Sequence, residues 1–268
     1  MVPMIRKELQ QRMRERRAWL LPTLYLLVLG SVVVVTYFTT TDVNGNFRDL
    51  QGAAIGRSIF LAVTYTQMGV LLLLAPAFSA GGITIEKEQR TLAGLLTSLL
   101  EPKDIWWGKF VSSFLFLFVL EVSALPILSL SFVFGGVSPM EVLLVTVITL
   151  LVLAAICSVG LWCSSFFRRS VHATAACYGF VIALTIVTTV VYAILESLAE
   201  RQYAGSGQQP LYVTFPLLLN PFFSLIGVFE SEWRAHFDWG ASLLFYGAAG
   251  CLAAAGAIRN IRRSGEQV

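Results

Sequence analysis

The chain has 268 residues, of which 56% are hydrophobic and 13% charged, and its formal net charge is +3. Soluble domains carry about a quarter charged residues, so this composition excludes an ordinary water-soluble globule. The small positive excess argues for no nucleic-acid partner.

A membrane-spanning helix needs roughly 20 mostly apolar residues. Six stretches meet that requirement: Trp19–Phe38, Ser58–Ala80, Phe110–Phe134, Met140–Phe166, Val171–Leu195 and Gly240–Ile258. The expected class is an all-α polytopic membrane protein, with residues 1–268 forming a single transmembrane domain.

Ahead of the first span, residues 3–17 carry Ile5, Leu9 and Met13 one helical turn apart among basic residues. That pattern suits a short amphipathic helix at the cytoplasmic interface, and a basic tail is the competing reading. Trp19 is an interfacial anchor at the span entrance. The first apolar run is too long for a signal peptide and lacks an A-x-A-type site, so it reads as a retained helix. The connection Thr39–Arg57 is turn-rich and too short for a domain.

Within the second span, Thr64, Tyr65, Thr66 and Gln67 form a polar patch. With Phe114, Phe116 and Phe118 of the third span they suit a mixed aromatic and hydroxyl cavity, or hydrogen bonding between helices. Glu121 sits near the middle of the third span, where an ionisable group costs several kcal/mol if it faces lipid. It is expected to face the bundle interior, as a proton or cation site, a substrate contact or a polar anchor. Gly135-Gly136-Val137-Ser138-Pro139 reads as a tight outer turn and Arg168-Arg169-Ser170 as a tight inner one, which makes spans four and five antiparallel neighbours.

Between spans five and six, residues 196–239 form a longer outer connection. Glu196–Gly207 is polar, whereas Pro210–Phe229 is apolar but interrupted by Pro216 and Asn220-Pro221. Proline limits helix continuity, so two short re-entrant helices fit better than a seventh span. Irregular backbone at that depth must be shielded by protein or face a water-filled cavity, which makes Asn220, Pro221 and Phe222 a candidate outer gate. A hydrophobic loop packed over the helix ends is the alternative. The last span is rich in small residues (Gly247, Gly250, Ala253, Ala254, Gly256), which suits close helix packing within the bundle or at a subunit contact.

Fifteen of the 19 Lys and Arg residues fall in the N-terminus, the second and fourth connections and the C-terminal tail; Arg48, Arg57, Arg201 and Arg234 fall on the other side. By the positive-inside rule both termini are cytoplasmic. Cys157, Cys163, Cys177 and Cys251 lie inside predicted spans without metal-ligand spacing and read as small apolar fillers. His172 and His236 fall on opposite sides of the membrane, and no triad, metal cluster or carboxylate pair is present. An enzyme is not expected.

The most informative stretch is the second inner connection, Ile85–Lys109. Leu92, Leu95, Leu96, Leu99 and Leu100 recur at helical spacing, which makes an apolar stripe. Ahead of them stand Glu86, Lys87, Glu88, Arg90 and Thr91. Pro102 opposes helix continuation through Glu101, and Trp106 and Trp107 mark the re-entry into lipid. On spacing alone this is either a passive amphipathic loop helix or a charged end built for a cytosolic partner.

The order Glu86-Lys87-Glu88-Gln89-Arg90-Thr91, Leu95-Leu96, Pro102 and Gly108-Lys109 resembles the cytoplasmic loop of ABC-2 type transporter permeases. The start Arg6-Lys7-Glu8-Leu9 is similar to that family's interfacial elbow helix, and Asn220-Pro221-Phe222 resembles an element that often precedes its last span. The resemblance covers nearly the whole chain. It departs at Glu86–Thr91, which reads EKEQRT where a Glu-Arg pair is commoner.

The resemblance implies that 85–109 holds a coupling helix seated on a separate ATPase subunit, with Glu86, Glu88 and Arg90 making charge-assisted contacts. It implies a dimer of six-span units, homomeric or heteromeric, acting as an exporter in a bacterial inner membrane. ATP and magnesium belong on the partner. This chain binds no cofactor, since Gly108-Lys109 has Lys103 where a P-loop needs glycine and is followed by Phe110. Glu121, Thr64, Thr66, Gln67 and Phe118 are the candidate translocation path. The competing reading is an ion- or proton-coupled carrier that uses Glu121 and needs no ATPase.

Overall fold

The computed structural model describes residues 17–40, 49–91, 101–202, 211–229 and 239–265. Among them every regular element is helical: α1 Arg17–Thr40, α2 Asp49–Ser79, α3 Thr84–Glu88, α4 Pro102–Phe134 and α5 Pro139–Phe166. There follow α6, which runs through Ser170–Ile182, a π-helical turn at Ala183–Val187 and Thr188–Gln202, then α7 Leu211–Leu219, α8 Pro221–Phe229 and α9 Trp239–Gly265. Six of them (α1, α2, α4, α5, α6 and α9) are long and apolar enough to cross a membrane. The expected elbow at 3–17, apart from Arg17, and the leucine stripe from Leu92 to Leu100 lie outside the described residues.

Two helix starts follow from local sequence. Pro102 occupies the first turn of α4, where its fixed φ suits a helix and its missing N–H costs nothing. The helix therefore begins well before Phe110, where apolarity alone would start the span. At α5, Pro139 again opens the helix behind a capping box. The Ser138 hydroxyl accepts the Glu141 N–H at 3.2 Å, and the Glu141 carboxylate accepts the Ser138 N–H at 2.8 Å.

α5 is the hub, packed by α2, α4, α6, α8 and α9. It is the most apolar of the six long helices, and a helix apolar all round belongs inside a bundle. Small residues let its neighbours approach. Gly160 of α5 lies against Ser79 at the end of α2, and Gly250 and Gly256 of α9 lie against Ala155 and Trp162 of α5. The small residues Gly250 and Gly256 thus serve packing within the bundle. At the turn between α4 and α5, Gly136 has φ +82° and passes so close to the Ala53 carbonyl that a methyl group would overlap it.

Apolar clusters hold the bundle together. The main core runs through α1, α2, α4, α5, α8 and α9, with Leu71, Leu117 and Leu153 fully buried. A smaller cluster of Ile83, Trp106, Leu161, Ala257 and Ile261 closes the end that carries α3. Trp106 is thus a buried core residue; Trp107 alone of the pair is exposed, as an interfacial anchor would be.

Candidate functional site

The loop after α2 is laced to the rest of the bundle. The backbone N–H groups of Ile83 and Thr84, free at the start of α3, donate to Ser164 Oγ at 2.8 and 2.9 Å. Lys87 Nζ donates to the carbonyls of Ser164, Ser165 and Phe167, the last of α5. Glu88 Oε1 accepts the Ser170 N–H at 2.7 Å and its hydroxyl at 3.0 Å, at the first residue of α6. A cation thus meets the negative end of one helix dipole and an anion the positive end of the next. Glu86 turns inward to a largely buried ion pair with Lys109 of α4. At the far flank Lys103 pairs with Glu101 at 2.6 Å, a hydrogen bond that holds the Glu101 carboxyl below the usual carboxylate range.

α3 ends in a Schellman arrangement. The Arg90 N–H donates to the Lys87 carbonyl at 3.2 Å and the Thr91 N–H to the Glu86 carbonyl at 3.0 Å. Arg90 takes the left-handed position usually given to glycine, with φ 56°, and no other non-glycine among the described residues does so. Of the charged cluster singled out in the sequence, Glu86 and Lys87 are tied inward, Glu88 caps α6 at the surface, and Gln89, Arg90 and Thr91 stand exposed.

Inside the bundle, Glu121 is fully buried between Leu117, Ala124 and Leu128 on the inward face of α4. Gln67 of α2 abuts it without reaching hydrogen-bond geometry. Thr64, one turn away, and Gln67 are each 2% exposed. Tyr25 of α1 is near enough to interact electrostatically with Glu121. The polar atoms of all four side chains are buried and without a hydrogen-bond partner.

The structure thus places Gln67 beside Glu121, with Thr64 one turn along α2 from Gln67. The Thr66 hydroxyl bonds back to Ala62 O at 2.8 Å in its own helix. Phe118, 37% exposed, ends a ladder of rings, Trp106, Phe110, Phe114 and Phe118, spaced four residues apart along α4.

Away from the α3 end, Asn220 joins three elements. Its Oδ1 accepts the Phe222 N–H at 3.0 Å, which caps α8. Its Nδ2 donates to Thr185 O, Thr188 Oγ1 and Thr189 Oγ1, at 2.9–3.0 Å, all at the π-turn of α6. A π-turn releases backbone carbonyls from their usual partners, and here one of them is met by a side-chain amide. Tyr246 of α9 donates to Leu219 O at 2.7 Å, and the Phe222 ring lies 6.4 Å from that of Tyr65.

Ser164, Ser170, Tyr25 and the threonines at 185, 188 and 189 were not among the sequence candidates. The signal was available for the threonines, whose spacing places them on adjoining turns of one span, and for Tyr25, isolated in an apolar helix. For Ser164 and Ser170 it was absent, since their roles come from α3 docking beside them.

The ABC-2 family transporter protein model matches residues 2–257. No curated protein gives a significant match. With nearly the whole chain covered and six apolar helices in place, the chain belongs to the ABC-2 transporter family. It is a permease, the membrane component of an ABC transporter and not its ATPase, and it associates with an ATPase partner.

Proposed function

We propose that this permease subunit is driven by separate ATPase subunits that grip the loop between α2 and α4 at its exposed Gln89–Thr91 corner. The observation that carries the reading is the double fastening of α3 by Lys87 to the end of α5 and by Glu88 to the start of α6. A displacement of α3 therefore acts on two spanning helices at once. Arg90 supports it: a left-handed non-glycine residue costs roughly 1–2 kcal/mol, yet this one sits on an exposed corner where glycine would avoid the cost. Its charge suits a charge-assisted contact with an acidic groove. Glu86, Lys87 and Glu88 then serve mainly as transmitters, and ATP bound by the partner, with its magnesium, favours one bundle arrangement through differential contacts.

From the start of α6 the path continues through the π-turn to Asn220, so that Asn220, Pro221 and Phe222 move as the outer gate. Two six-span units, identical or different, enclose the route, with the exposed Phe118 face of α4 along it and the wide apolar faces of α1 and α6 left to lipid or the second subunit. Export, a bacterial inner membrane and cytoplasmic termini complete the reading, supported by the basic residues Arg168, Arg169, Arg262 and Arg263 at the α3 end. Family membership favours this ATP-driven reading over a carrier that uses Glu121 without an ATPase.

The test is co-purification with the partner ATPase. Arg90→Glu is expected to weaken capture roughly tenfold or more, the effect of replacing a charge-assisted bond by repulsion. Ser170→Ala is expected to preserve capture while lowering transport. Unchanged capture and transport in Arg90→Glu would falsify the reading.

A further inference from the structure

We propose that Tyr25, Thr64, Gln67 and Glu121, converging from α1, α2 and α4, form a binding site for a dehydrated monovalent metal cation. The site lies within one chain and does not depend on how the ATPase engages the loop.

Four observations lead there. First, the groups are deep inside: Tyr25 is 3% exposed, Thr64 and Gln67 2% each, and Glu121 0%. Second, all their side-chain polar atoms lack hydrogen-bond partners, which is costly for each buried group and more so for a carboxyl. The three helices that carry these groups pack against one another, and Gln67 abuts Glu121. Third, the available ligands are oxygens: both carboxylate oxygens of Glu121, the amide oxygen of Gln67 and the hydroxyls of Thr64 and Tyr25. Oxygen donors without imidazole or thiolate select hard cations. Fourth, the charge is one. No Lys, Arg or His among the described residues pairs with Glu121. A monovalent ion leaves the site neutral, whereas a divalent ion leaves a net positive charge in the apolar interior. Magnesium also surrenders its water reluctantly.

The helices explain why the site is built this way. Glu121 continues the stripe Leu117, Ala124, Leu128 along one buried face of α4. Thr64 and Gln67 are three residues apart and share one face of α2. Among the described side chains of α1, Tyr25 and Leu29 are the buried ones, which ties the least buried span to the bundle at this point.

The test uses the full chain in lipid nanodiscs, with unfolding followed in sodium chloride, potassium chloride and N-methylglucamine chloride at equal ionic strength. Sodium or potassium is expected to raise the unfolding midpoint by several degrees, saturably, above its value in N-methylglucamine, because an ion that binds only the folded state stabilises it by mass action. Glu121→Gln is expected to abolish that difference whatever its own absolute midpoint, and Thr64→Ala to raise the half-saturating concentration about tenfold. Retention of radioactive sodium by the wild-type chain, lost in Glu121→Gln, gives a second readout. Equal midpoints in all three salts overturn the proposal, as does a cation-dependent shift that persists in Glu121→Gln. Midpoints that follow pH but not the cation overturn it too, since a proton alone then neutralises Glu121.

Discussion

Arg90 shows how much one backbone angle constrains. A left-handed arginine at the end of α3 is held by two backbone hydrogen bonds that any residue provides, so the side chain contributes nothing to the turn it occupies. Glycine at that position removes the steric cost of Cβ against the following carbonyl, roughly 1 kcal/mol. Arg90→Gly is therefore expected to raise the unfolding midpoint slightly while lowering ATPase capture. A stability gain accompanied by full capture would show that the charge is incidental. The neighbouring residues divide their duties by geometry: the same three-residue run Glu86-Lys87-Glu88 points successively at α4, at the end of α5 and at the start of α6.

At the scale of elements, α6 is the unusual member. It is held at its start by Glu88 and at its π-turn by Asn220, and it is otherwise little buried. The two functions of Asn220 separate by substitution. Asn220→Asp keeps an oxygen to cap α8 but has no N–H to donate toward Thr185, Thr188 and Thr189, and it brings a carboxylate up to three oxygens. Asn220→Ala loses both roles. If the brace matters more than the cap, Asp is expected to be as damaging as Ala, at about 2 kcal/mol, the loss of a buried polar contact and a cap together. If the cap alone matters, Asp should resemble the wild type. Urea unfolding of the two variants in detergent distinguishes the cases.

For the whole molecule, α5 fixes the arrangement, and the charge distribution is the basis of the proposed direction across the membrane. The α3 end carries the turn at Arg168-Arg169 and the close of α9 with Arg262 and Arg263, and Asn260 there bonds Ser165 at 3.2 Å. The opposite end carries the Gly135–Ser138 turn and Arg57, whose guanidinium donates to the Phe229 carbonyl. In a variant freed of native cysteines, Val137→Cys is expected to react with a membrane-impermeant maleimide in intact cells. Arg263→Cys is expected to react only after permeabilisation. The reverse pattern would invert the proposed orientation.

Much of the architecture was legible because it depends on local or one-dimensional terms. Apolar length selects spanning helices, basic residues select a side, Pro102 and Ser138-Pro139 start helices, and Asn220-Pro221 breaks one. The loop's importance was visible from its order of charges, although what each charge touches was not. That Glu86 pairs with Lys109, that Lys87 and Glu88 clasp the two helix ends around Phe167–Arg169, and that Trp106 is a core residue all depend on contacts between segments far apart in sequence. The polar patch of α2 illustrates the division. Sequence alone indicated that Thr64, Thr66, Gln67, Phe118 and Glu121 were unusual for their surroundings. Only helix rotation and packing decided that Gln67 abuts Glu121, that Thr66 turns to its own backbone, and that Tyr25 of another span is buried. Hydropathy and charge act on each residue through its solvent, so a linear chain records them; a side chain's partner is set by which faces of which helices come together.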